Sequence, residues 1–90
     1  MTRIQSRCGE VTVTFYTKPN CPLCDSALEQ IELARREVEF EFRSINILEN
    51  EEIYFRYRYE IPVVCVDDEE AFRHRLTSAA LVDRLRKGTT

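Results

Sequence analysis

Cys21 and Cys24 stand three residues apart in "YTKPNCPLCDSALEQIELARR" (16–36), a spacing open to three chemistries: a redox pair, half of a metal site, or a structural staple. If a helix begins there, the two sulfurs meet within one turn. A thiol at a helix N-terminus faces unpaired backbone N–H groups and the positive end of the dipole, which favour a thiolate. Cys21 takes that place, and Lys18 brings a positive charge nearby. Cys24 falls one turn later, on the side that faces the core. An accessible thiolate can attack a disulfide, and a sheltered second thiol can then displace the product. A structural zinc site asks for a second well-spaced pair, whereas Cys8 and Cys65 are far apart and each alone. Redox chemistry is therefore favoured, and no metal ligands are assigned.

Several elements must position these thiols. Val11 to Thr17 is β-branched or aromatic at almost every position, as suits a strand covered on both faces. Pro19 and Asn20 break it. Pro22 opens a helix, with Asn20 or Cys21 at the cap, and Cys24, Leu28, Ile31 and Ala34 form its buried stripe. Val38, Phe40 and Phe42 alternate with charged residues as a second strand, whose change of phase before Ile45 and Ile47 predicts a bulge or strand end near Ser44. Glu49 to Tyr59 reads as a short helix with acidic residues in its first turn. Val63 to Val66 is a third strand, Asp67 to Glu70 a turn, and Ala71 to Leu76 a fourth strand at a sheet edge. Ser78 caps a last helix with Leu81, Val82 and Leu85 inward. The order is β-α-β-α-β-β-α, with the first two strands parallel and the last two a hairpin.

Ninety residues make one domain, 1–90, with 1–10 as an N-terminal extension. A net charge of −3 argues against nucleic acid as a partner. No apolar run is long enough to span a bilayer, and no apolar core follows the basic residues of 1–10, so that stretch is not a signal peptide. A cytoplasmic location follows as the expectation, where thiols are kept reduced.

"VTFYTKPNCPLC" resembles the active-site strand and loop of glutaredoxins, in the thioredoxin superfamily. "YEIPVVCVDD" (59–68) resembles the superfamily's second hallmark, a cis-proline opening the third strand. The resemblance covers most of the chain from Val11 onward. It implies an α/β, thioredoxin-like fold of glutaredoxin type with a mixed four-stranded sheet, and a thiol-disulfide oxidoreductase. Cys21 is then the nucleophile and Cys24 the resolving thiol. Lys18 matches a position that contacts the glutathione carboxylate, Pro22 lies between the thiols, and Ile61 and Pro62 match the loop that pairs with a thiol substrate like an added strand.

The departures are specific. Leu23 replaces the usual Tyr. Glutaredoxins usually carry a Gly-Gly pair and an Asp after the fourth strand, but "FRHRLTSAALVDRL" contains no glycine; Thr77 and Ser78 offer N–H groups at a helix start instead, an anion site by geometry. Thioredoxin itself fits less well, since there is no Trp and Phe15 stands where thioredoxins keep a buried Asp. The whole resembles compact glutaredoxin-like proteins with a CPxC motif and an incomplete glutathione site. No cofactor is expected to be bound, with glutathione as a candidate co-substrate. Expected partners are disulfide-bearing proteins or small thiols, reduced by glutathione or a thioredoxin-reductase system, and the chain is expected to be a monomer. Two rival functions remain open: a redox-sensing or protein-binding module without turnover, and an iron-sulfur carrier acting through Cys21.

Other residues receive plainer readings. Cys65 is a small buried hydrophobe, near enough to Cys8 for a second disulfide if strands one and three are neighbours. His74, flanked by Arg73 and Arg75, is a surface residue. Tyr54, Phe55, Tyr57 and Tyr59 pack against the sheet, and Arg56 and Arg58 form a solvated face.

Overall fold

The computed structural model describes residues 11–88. Four strands form one mixed sheet in the order β2-β1-β3-β4. They are β1 (Thr12–Thr17), β2 (Glu41–Asn46), β3 (Val63–Val66) and β4 (Glu69–Arg73), with helices α1 (Pro22–Arg35), α2 (Glu51–Tyr57) and α3 (Ser78–Gly88). The element order is the expected β-α-β-α-β-β-α. β1 pairs parallel with β2 from Thr12↔Glu41 to Thr17↔Asn46, and antiparallel with β3 from Val13↔Val66 to Tyr16↔Val63. β3 and β4 form the antiparallel hairpin.

Central β1 is covered on both faces, and its side chains show how. α1 and α3 pack against each other. Phe15 stacks on Phe42 at 6.2 Å, and the Arg35 guanidinium at the end of α1 lies over the Phe42 ring. Tyr16, pointing the opposite way by strand alternation, stacks on Tyr57 of α2 at 4.5 Å. Phe15, Ile31, Ile47, Val63, Leu81 and Leu85 are among the largest fully buried side chains, and among the described residues no polar or charged side chain is buried.

Several expected boundaries move. β2 begins at Glu41, because α1 ends in a turn in which Glu37 and Val38 both donate to the Ala34 carbonyl; Val38 and Phe40 pack on the core from the connection. The pairing runs unbroken through Ser44, so no bulge lies there. Apolar residues change phase because both faces of the sheet are covered: Phe42 faces α1, and Ile45, opposite Tyr16, faces α2. The irregularity sits instead in the β3–β4 hairpin, between Val64 and Cys65.

The expected helix from Glu49 to Tyr59 is a short 3-10 turn (Ile47–Glu49) followed by α2, separated by Asn50, whose Oδ1 accepts from Ile53 N–H. Asp67 and Asp68 both have positive φ (51° and 71°), a two-residue turn matched to strand twist. β4 therefore starts at Glu69, two residues earlier than the alternation suggests, and ends before His74, which turns the chain with φ 64°. On α1, Ala27 takes the buried place expected for half-buried Leu28. On α2, Tyr57 is buried but Phe55 is 58% exposed, and Tyr59, just past the helix, is 77% exposed. A helix of two turns can turn only one side to the sheet, and the outward rings carry the Arg58 guanidinium, 4.9 Å from the Phe55 centroid and 4.8 Å from that of Tyr59.

Candidate active site

Between β1 and α1 the chain reverses through Asn20, whose φ of 59° lies in the left-handed region that Asn tolerates better than most residues. The next residue, Cys21, is extended and caps α1, with Pro22 in the first turn, where its missing N–H removes no bond. The Cys21 sulfur does the work usually done by a Ser or Asp oxygen: it accepts from the Cys24 N–H at 3.3 Å. Its carbonyl accepts from Asp25 N–H at 3.0 Å.

The two thiols differ in environment. Cys21 is partly exposed, whereas Cys24 is 2% exposed. Burial pushes the Cys24 thiol above the ordinary cysteine range, and its hydrogen bond with Cys21 pushes the same way; the Thr17 hydroxyl and the Lys18 backbone pull it back. The site thus holds one sulfur open to an incoming disulfide and one kept as a neutral thiol within reach of it. Thr17, in contact with the Cys24 sulfur, escaped the sequence reading because its hydroxyl had no motif to mark it.

Lys18 is exposed at the mouth of this turn. The Ile61–Pro62 peptide bond is cis. Both side chains are buried, so backbone is what this loop can offer. The Ile61 N–H already donates to the Tyr57 carbonyl at the end of α2, at 3.1 Å. That donor is therefore already engaged within the chain.

A groove of about 350 Å³ runs between Leu23, Ala27 and Gln30 of α1 and the His74–Thr77 loop before α3. Here two of the N–H donors at the start of α3 are already engaged from within the chain. The Ser78 N–H donates to Gln30 Oε1 at 2.8 Å, and the Ala80 N–H donates to Thr77 Oγ1 at 3.1 Å. Thr77, rather than Ser78, therefore acts as the cap of α3. Gln30 carries no sequence signal for this role, since its partner is 48 residues away.

Cys65 is 5% exposed on β3. Burial raises its thiol, as do the charges of Glu70 and Asp68. Cys8 lies outside the described residues, so pairing with Cys65 belongs to the sequence reading alone. Among the described residues no three His, Cys, Asp or Glu side chains cluster as a metal set, and no helix is long and apolar enough to cross a membrane.

Comparison with known proteins places this arrangement in context. The Glutaredoxin-like domain (DUF836) family matches residues 12–86. The Glutaredoxin-like protein YDR286C homolog of Dictyostelium discoideum is 33% identical over 82 residues, covering 84% of this chain and 76% of its own. Among solved structures, protein XcR50 from X. campestris superposes with a TM-score of 0.70 at 24% identity, covering 83% of this chain and 96% of its own. Chloroplastic thioredoxin z superposes with a TM-score of 0.72 at 13% identity, covering 88% and 78%. At those identities the structures establish the thioredoxin-like fold alone, while the family match joined to the adjacent Cys21–Cys24 pair supports a redox-type function. The chain belongs to the glutaredoxin-like domain family of the thioredoxin superfamily.

Proposed function

We propose that this protein is a thiol-disulfide oxidoreductase in which Cys21 attacks and Cys24 resolves. The observation that carries the reading is the asymmetry of the pair: a partly exposed sulfur capping α1, hydrogen-bonded to the segment that holds a buried partner. In the first step the Cys21 thiolate attacks one sulfur of a substrate disulfide. A new S–S bond forms to Cys21, the substrate S–S bond breaks, and its second sulfur leaves as a thiolate. That leaving thiolate is a base at hand for the Cys24 proton. The Cys24 thiolate then attacks Cys21 Sγ, the mixed disulfide breaks, and the second substrate sulfur is released. The substrate has gained two electrons and two protons, one from Cys24 and one from solvent, and the chain holds a Cys21–Cys24 disulfide for an external thiol to reduce.

The filled donors at the start of α3 support a peptide or protein disulfide as substrate over a small carboxylate-bearing thiol gripped there. Replacing Cys21 by Ser tests the reaction: reduction of a peptide disulfide, coupled to a recycling thiol, should fall to the uncatalysed rate. Survival of that activity in Cys21→Ser would end this reading. Comparing reduction of the oxidised protein by glutathione and by thioredoxin reductase then identifies the electron donor.

A further inference from the structure

His74 touches the Ile61–Pro62 loop on both of its flanks. Its backbone N–H donates to the Pro62 carbonyl at 2.8 Å, and its ring Nε2 lies 3.2 Å from the Tyr59 carbonyl oxygen. A carbonyl only accepts, so that contact places a proton on Nε2. The same nitrogen is 3.9 Å from Glu60 Oε1, which also receives Arg73 Nη1 at 3.0 Å. From the other side, the Glu60 and Ile61 N–H groups donate to the Tyr57 carbonyl. Residues 59–62 are therefore pinned between the end of α2 and the end of β4. His74 also lines the groove that Leu23 borders, so one residue joins the loop to the wall of that groove.

The backbone supplies a second, independent observation. At φ 64° His74 occupies a region that disfavours any residue with a Cβ relative to glycine. If the chain needed only a turn at the end of β4, glycine would serve better.

We propose that His74 is a positioning residue that holds the Tyr59–Pro62 loop ready to receive a peptide disulfide, a role that rests on the oxidoreductase reading above. The ring fixes the stretch whose Ile61 carbonyl an extended substrate would meet, while the sulfur chemistry proceeds without it. A small disulfide with no peptide backbone gains nothing from the clamp.

The test compares wild type with His74→Gly and His74→Asn, both compatible with the positive φ and both lacking the imidazole. The probes are a synthetic disulfide-bridged peptide and bis(2-hydroxyethyl) disulfide, with carbamidomethylation of Cys21 by iodoacetamide measured alongside. In both variants KM for the peptide should rise about five-fold, the loss of roughly one hydrogen bond, with kcat unchanged. Turnover of the small disulfide and alkylation of Cys21 should match wild type. A His74→Gly protein with wild-type KM for the peptide overturns the proposal, because the turn alone then accounts for the residue. Equal losses on the small disulfide, or slowed alkylation of Cys21, also overturn it by showing a general disturbance of the site. A wild-type chain that turns over neither disulfide sinks the oxidoreductase reading, and the positioning role with it.

Discussion

The starts of α1 and α3 border the same groove and are both helix N-termini, yet they offer opposite things. At α1 the capping acceptor is the Cys21 sulfur, a group that can leave its N–H partner and react. At α3 the acceptors are the Thr77 hydroxyl and the Gln30 carboxamide, which satisfy the donors and do no further chemistry. A helix N-terminus is thus an opportunity rather than a site. What it becomes depends on the group that reaches it first.

The comparison can be broken at either end. The largest effect is expected from Cys24→Ser. The Cys21 sulfur keeps its place and its partial exposure, so a first attack should still occur, but no second thiol can release the product. Multi-turnover reduction of a peptide disulfide should fall to near background, while a covalent adduct on Cys21 accumulates and is visible by intact mass. Full turnover without an adduct would remove Cys24 from the mechanism.

Next comes alkaline pH, which probes how dry the reactive end is. Cys24 and Cys65 are raised above 9.0, and Tyr16 and Tyr57 above 10.0, with burial the leading cause in each. All four are neutral acids that ionise later in the folded chain than in the unfolded one. Their contribution to stability is complete below the unfolded values and is lost as pH rises through the folded ones. The urea midpoint of the reduced protein should therefore decline from about pH 9 upward. The Cys24→Ser variant should show a shallower onset.

The smallest effect tests the unreactive end. Gln30→Ala removes the acceptor of the Ser78 N–H and should lower unfolding free energy by about 1 kcal/mol. The alkylation rate of Cys21 should not change, since Gln30 acts two turns down α1 and touches neither sulfur. A large change in that rate would mean that the two helix starts are coupled, contrary to the contrast drawn above.

How much of this was legible in the sequence follows from the range of the interactions. The cap at Cys21, the strand before it and the buried turn after it depend on neighbours within a few residues, and Pro22 and the apolar spacing announce them. The phase of β2 was misread because alternation assumes one wet face, whereas Phe42 and Ile45 are each covered from opposite sides. The Asp67–Asp68 turn was drawn too long because two consecutive positive φ values leave no unique mark on side chains that also serve as ordinary solvated acids.

By itself, the sequence determined the element order, the parallel pairing of the first two strands, the hairpin of the last two, and the placing of two thiols at the start of α1, since hydrophobic period and local capping act over short distances. Only the tertiary structure decided that Gln30 fills the start of α3, that Thr17 meets the Cys24 sulfur, and that His74 spans the Tyr59–Pro62 loop. These contacts join residues brought together when α1, β3 and β4 pack on one sheet. No residue type announces such a partner, because a carboxamide, a hydroxyl or an imidazole bonds whatever the fold sets within 3 Å or so of it.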